Sequence, residues 1–317
     1  MKGVVLDVKS IDSGDINFDS LKSIVPDLQF YDFTSEEDVA ERIKDADVII
    51  TNKVKIKKDH LISSLPLKLI CISATGTNNV DLDAAASAGV RVANVTNYAT
   101  PSVVQHVYCL ILSLTIKLGQ YRQAVHEKRW QDSPFFCLLD YPISELSGKT
   151  LGIIGFGVLG KAVAEVGRAF GMNVIVAARK GQSPDSDRVS LEQLLTESDV
   201  ISIHCPLTKE TRNLIDSAEF GLMKQNAILI NAARGGIVNE NALIAALKSG
   251  QIAGAGFDVL SEEPPVNGNV LLDNEMPNLI VTPHIAWASV ESRQRVIDEI
   301  ALNIEAYLKG ETRDLVC

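Results

Sequence analysis

The 317-residue sequence has no surplus of positive charge, no paired-cysteine pattern and no uninterrupted apolar run of membrane length. With 30 Lys and Arg against 40 Asp and Glu, the net charge is −10, so long-range repulsion opposes binding to nucleic acid or to an anionic membrane. Five cysteines, Cys71, Cys109, Cys137, Cys205 and Cys317, are odd in number, widely spaced and without a CxxC or His-x-x-x-His companion. Neither a disulfide framework nor a metal site is expected. The longest apolar stretch, VYCLILSLTIKL at 107–118, is interrupted by Ser113, Thr115 and Lys117 and is too short to span a bilayer. It reads as a buried helix. The beginning, MKGVVLDVKS, lacks the apolar stretch and cleavage site of a secretion signal. A reducing, cytoplasmic setting is expected.

What is present is ordinary for a globular enzyme: 46% hydrophobic and 22% charged residues, at a length beyond one typical core. Short β-branched runs alternate with helical patterns: GVVLD at 3, DVIIT at 47, LICIS at 69, VRVAN at 90, LGIIG at 151, NVIVAA at 173, DVISI at 199, AILIN at 227, AGAGFDV at 253 and LIVTP at 279. This is the rhythm of parallel βαβ units, and the count needs two sheets. The expected class is α/β, with two doubly wound parallel-sheet domains. Thr100 and Pro101 open one helix, Asn239 opens another that Gly250 closes, and Gly310 closes the last. That last helix, roughly 290–309, puts Val296, Ile297, Ile300, Ile304, Tyr307 and Leu308 on one face, which must pack on something already built. The first crossing between domains is placed near 97–100, because nothing in the first four strands explains the apolarity of the helix from Pro101. The last helix then returns to the first domain.

The strongest local signal is LGIIGFGVLGKAVAEVGRAFGMNVIVAARK. Gly155, Gly157 and Gly160 lie between a strand and a helix, followed by a second strand, which is the setting a GxGxxG needs to bind a dinucleotide. Gly155 permits the tight turn, Gly157 a close approach to pyrophosphate, and Gly160 helix-on-strand packing; the helix N-terminus supplies amides. The second strand then reaches Ala178, Arg179 and Lys180, where an NAD site places a carboxylate on the ribose. Two cations without that acid suit a 2′-phosphate, so NADP(H) is preferred; if both are solvated loop cations, NAD(H) binds as well.

Three ionisable residues each follow a strand: Arg234 after AILINAA, Glu263 in FDVLSEEP and His284 in TPHIAWAS. Loops beyond the carboxyl ends of parallel strands converge on the ligand crevice. Together they have what hydride transfer to a carbonyl needs: a histidine to move the proton, a carboxylate to orient it and an arginine to grip a carboxylate. Glu262 remains a rival to Glu263. His60, His106, His126 and His204 lack such company and are left structural, except that His204, Cys205 and Pro206 are placed on the adenine side.

In NAARGG, DVLSEEP, TPHIAWAS, SATGTNNVDLDAA and the glycine stretch, the chain resembles the D-isomer-specific 2-hydroxyacid dehydrogenases, in order and over essentially the whole length. Within that family, NYATPSVVQH and PHIAWAS are most similar to glycerate dehydrogenases, also called hydroxypyruvate reductases. The resemblance implies catalytic Arg234, Glu263 and His284, and a turn Ala74, Thr75, Gly76 whose amides receive the substrate carboxylate. It places Thr75, Val158, Leu159, Ala232, Ala233, Arg234, Asp258 and His284 at the cofactor as well. It implies a Rossmann domain, 100–287, inserted into a flavodoxin-like substrate domain, 1–99 with 288–317. A homodimer is implied too, with the aromatic stretch Trp130, Phe135, Phe136 and Tyr141 as an arm; the alternative is a loop folded on its own domain. Two departures stand out: Ala178 replaces the acid of NAD-using members, and Gln105 in SVVQH replaces a glutamate of SVAEH.

The expected reaction is reduction of a small 2-oxo acid, hydroxypyruvate or glyoxylate, to glycerate or glycolate, with His284 as general acid. Trp287 beside that histidine hints at a substrate with a second hydroxyl. Two other readings share the fold: a dinucleotide-sensing co-regulator, and a formate or phosphite dehydrogenase, although a formate-type site pairs its histidine with an amide.

Overall fold

The computed structural model describes residues 1–62, 66–179 and 187–317. In chain order the elements are β1 (Lys2–Val5), α1 (Asp19–Ile24), β2 (Asp27–Phe30), α2 (Val39–Ile43), β3 (Val48–Thr51), α3 (Lys58–Ile62), β4 (Leu69–Ile72), α4 (Leu82–Ser87) and β5 (Arg91–Ala93). There follow α5 (Thr100–Thr115), α6 (Leu118–His126), β6 (Thr150–Ile154), α7 (Val158–Ala169), β7 (Asn173–Val176), α8 (Leu191–Glu197) and β8 (Val200–Ile203). The chain ends with α9 (Ser217–Leu222), β9 (Ile228–Asn231), α10 (Glu240–Ser249), β10 (Gly254–Phe257), β11 (Leu279–Val281) and α11 (Val290–Leu308). Two compact units result: Met1–Ala99 with Trp287–Cys317, and Thr100–Ala286.

The first unit is built on a parallel sheet in the order β2-β1-β3-β4-β5, the flavodoxin-like arrangement. Successive residues point to opposite faces, so Val4, Ile49 and Ile70 enter one core with Val39 and Ile43, while Val5, Ile50 and Cys71 enter another with Leu21 and α11. Helix α11 buries Val296, Ile297, Ile300 and Ile304 completely. Leu308, expected on that face, is 55% exposed, because the helix ends there at the Lys309 cap. Strand β2 is a fifth strand that the apolar-run pattern does not reveal. As an edge strand its residues DLQF are alternately exposed and half-buried, and no continuous apolar run is required.

The second unit has a parallel sheet in the order β11-β10-β9-β8-β6-β7. Ala177, just past β7, pairs in parallel with Val189, which extends the edge by one bridge. Counted with that bridge, the connectivity is the doubly wound dinucleotide-binding one. The register aligns Ile154 with Ile203, Ile203 with Asn231, Asn231 with Phe257, and Phe257 with Val281. Every loop bearing a candidate residue in this unit except that after β7 therefore leaves the sheet from one row.

The apolar stretch 107–118 is not one helix. Chain direction changes by 61° between α5 and α6, where Lys117 adopts φ 56°, and Ile116 and Leu118 are partly exposed. Val107, Leu110, Ile111 and Leu114 are buried in α5, and no single helix among the described residues is long and apolar enough to cross a membrane. The stretch 133–149 has neither helix nor strand. Within it Phe135 and Phe136 are 72% and 92% exposed, whereas Tyr141 packs edge-on against Tyr121 and donates its amide to the Tyr121 hydroxyl at 3.2 Å.

Candidate active site

The β6–α7 turn is a cradle of backbone. Gly155 has φ +95°, and a Cβ there would press on the backbone of His204 and Cys205; a Cβ on Gly160 would overlap the Gly155 carbonyl. Nothing lies within 4 Å of a Cβ position on Gly157, so that edge is open. Helix α7 starts at Gly157 without a side-chain cap, unlike α8, α10 and α11, which Ser190, Asn239 and Ser289 cap. Its first amides are left for an anion, and Val158 at their head is 52% exposed. A cavity of about 660 Å³ continues from this turn, lined by Gly155, Gly157, Ala178, Arg179, Cys205 and Pro206 among others. These residues fit a pyrophosphate and an adenosine.

Arg179 lines this cavity, and Arg188, not anticipated, lines it too and bonds the Ala177 carbonyl at 3.3 Å. Glu210 also lines it, its carboxyl held below the usual range by the Thr208 hydroxyl. Lys180 lies outside the described residues. His204 lines the cavity too; its Nε2 meets Ser202 Oγ at 2.8 Å, while Nδ1 is buried without a partner. Burial pushes its pKa down to about 4 and pushes the Cys205 thiol up.

At the other end of the row, Glu263 and His284 meet. His284 Nδ1 is 2.6 Å from Glu263 Oε2, and the second carboxylate oxygen accepts the Leu260 amide at 2.8 Å. Both side chains are about one-third exposed, open enough to exchange with a ligand. The rival Glu262 turns to the Asn267 side-chain amide instead. His284 has φ 54°, a left-handed conformation unusual for a residue with a Cβ.

Arg234 leaves from the adjacent strand β9, is exposed, and donates Nη1 to its neighbour Ala233 carbonyl at 2.6 Å. It makes no ion pair among the described residues. Asn231 fixes its backbone, donating to the Arg234 carbonyl and accepting the Ala233 amide. Ala233 itself is buried in the core, so only its backbone can face a ligand.

Asp258, expected at the cofactor, is 1% exposed and accepts the amides of Ile285 and Ala286 and the Thr282 hydroxyl. Its carboxylate is committed to the loop that carries His284. In the first unit, Asn94 donates to the Thr75 carbonyl at 2.8 Å, the Thr75 hydroxyl to Val95, and Asn303 of α11 to Asn94. None of these bonds uses the Thr75 or Gly76 amide. Trp287 packs edge-on against Tyr98 there.

Several residues given no site role by the sequence hold these loops in place. Glu240 takes the Ser261 amide and hydroxyl and the Asn269 amide, bracing the Glu263 loop. Gly235 admits that loop, since a Cβ would overlap the Leu260 carbonyl. His106, left structural in the sequence, bonds Thr282 at 2.9 Å. Among the described residues no group of three or more His, Cys, Asp and Glu could hold a metal ion.

Known proteins match this chain over nearly its whole length. The sequence is 43% identical to glycerate dehydrogenase of Methylorubrum extorquens over 99% of this chain and 98% of that one. It is 39% identical to hydroxypyruvate reductase of Blautia hydrogenotrophica over 100% and 99%. The fold superposes on a D-lactate dehydrogenase from Aquifex aeolicus, solved with NAD and lactic acid, with TM-score 0.82, 31% identity and 98% and 96% coverage. The profile of the D-isomer specific 2-hydroxyacid dehydrogenase NAD binding domain matches residues 108–286. This chain therefore belongs to the D-isomer-specific 2-hydroxyacid dehydrogenases, a family of oxidoreductases acting on 2-hydroxy acids.

Proposed function

We propose that this protein reduces a small 2-oxo acid, hydroxypyruvate or glyoxylate, to the D-2-hydroxy acid, glycerate or glycolate, and uses NADP(H) in preference to NAD(H). The observation that carries the reading is the Glu263–His284 pair, in a loop row shared with an arginine that has no acid partner among the described residues. A nicotinamide dinucleotide bound along the cradle supplies the hydride. With Nδ1 engaged by Glu263, His284 gives up its proton at Nε2 to the forming alkoxide, and takes it back in the oxidative direction. Reduction thus requires the imidazolium and oxidation the neutral ring. Arg234 grips the substrate carboxylate and draws charge from the carbonyl. The Thr75 and Gly76 amides of the Ala74–Gly76 turn are proposed as carboxylate donors in their own unit, and Trp287 as a contact for a second hydroxyl. The carboxylate partner of His284 speaks against a formate-type site, where an amide would stand.

Absence of an acid at Ala178 and the presence of Arg179 and Arg188 support the 2′-phosphate. Exposed Phe135 and Phe136 support a homodimer through the 130–141 arm. Five unpaired cysteines fit a cytoplasmic setting.

Parallel assays of NADPH and NADH oxidation with hydroxypyruvate, glyoxylate and pyruvate test this. The expected result is turnover of the first two acids with a higher kcat/KM for NADPH. A clear preference for NADH would overturn the cofactor assignment, and no turnover of any 2-oxo acid the reaction itself.

A further inference from the structure

The loop that carries His284 is held from behind by α5. Asp258, the first residue after β10, accepts the Ile285 amide at 2.9 Å and the Thr282 hydroxyl at 2.6 Å on Oδ1, and the Ala286 amide at 2.8 Å on Oδ2. Ser102 of α5 donates its hydroxyl to the Ala286 carbonyl at 2.7 Å, so both sides of that residue are fixed. Four residues further along the helix, His106 Nε2 lies 2.9 Å from Thr282 Oγ1 and 3.5 Å from Asp258 Oδ1.

The direction of these bonds can be worked out. A threonine hydroxyl has one proton, and the short contact to the carboxylate takes it. Thr282 Oγ1 must then accept from His106, which therefore carries a proton on Nε2. A buried carboxylate is tolerated only while its donors stay in place. The left-handed backbone of His284 likewise persists only where its surroundings over-determine it. His106 completes both requirements.

We propose that His106 is a positioning residue for His284. Its Nε2–H keeps the Thr282 hydroxyl turned toward Asp258, Asp258 keeps hold of the Ile285 and Ala286 amides, and the imidazole of His284 is thereby set against Glu263. This deepens the acid–base role given to His284 and rests on it. A proton donor displaced by a fraction of an ångström loses rate, whereas the dinucleotide cradle at the other end of the row is untouched.

The test compares His106→Phe, which fills the space without a donor, with His106→Gln, whose side-chain amide can reach the Nε2 position. The Phe variant is expected to lose about 10-fold or more in kcat for 2-oxo acid reduction, with unchanged NADPH affinity by fluorescence titration. The Gln variant is expected to recover most of the rate. Thr282→Val, a smaller change, is expected to repeat the Phe result should that variant fold poorly. Imidazole nitrogen NMR of His284 gives a readout independent of turnover: one tautomer, protonated at Nδ1, in the wild type and the Gln variant at a pH where the ring is neutral, and a mixture in the Phe and Val variants. Wild-type kcat together with an unaltered His284 spectrum in the Phe and Val variants would overturn the proposal. Should the wild type reduce no 2-oxo acid, the acid–base reading falls while the spectra still decide the positioning role.

Discussion

Arg234 poses the problem of a cation at the mouth of a buried strand. Its guanidinium is exposed and bonded to a backbone carbonyl, an arrangement that leaves most of its five donors for a planar anion. His204 solves the opposite problem, a titratable ring kept neutral. With Nδ1 buried and unpartnered, protonation would strand a charge, and the pKa falls to about 4. An unfolded histidine titrates near 6.5, so as pH drops the unfolded state binds the proton first. The stability His204 contributes is complete above about pH 6.5 and is lost progressively as pH falls toward 4. Urea midpoints at pH 7.5 and pH 5 should show the wild type losing ~2 kcal/mol more than His204→Gln across that interval. Equal losses would mean that the ring is not held neutral.

Loops, rather than single side chains, set the geometry between elements. Glu263 sits on a loop braced by Glu240 in the first turn of α10, a helix whose start is itself fixed by the Asn239 cap. Gly235, one residue beyond the arginine, lets that loop pass directly over it. The loops of Arg234 and Glu263 are therefore coupled by one missing side chain. Gly235→Ala must push the Leu260 carbonyl away and should lower kcat by roughly 10-fold or more while leaving the dinucleotide cradle and NADPH affinity intact. A kcat at the wild-type level in that variant would show that the loop yields at no expense to the pair.

Across the whole molecule, what could be read beforehand follows a physical division. Central parallel strands are buried on both faces and announce themselves as apolar runs; edge strand β2, with one neighbour, does not. The glycine turn, Arg234, His284 and an acid at 262 or 263 were legible as candidates, because a dinucleotide turn and an acid–base pair each call for particular residue types just after a strand. Glu263 over Glu262 was not, since adjacent carboxylates differ only in where the loop turns them. Nor were Arg188, nine positions after Arg179 in the sequence, or His106, whose partner Thr282 lies 176 residues away. Sequence spacing cannot show such pairs, because only the register that brings β10 and β11 together with α5 creates them.

The central claim is that His284, held by Glu263, moves the proton of a 2-oxo acid reduction. Turnover of hydroxypyruvate by His284→Ala, at saturating NADPH and with cofactor binding verified, tests it most directly. The account predicts a kcat lower by roughly 10² to 10⁴ with NADPH affinity preserved. A variant that turns over near the wild-type rate would contradict it.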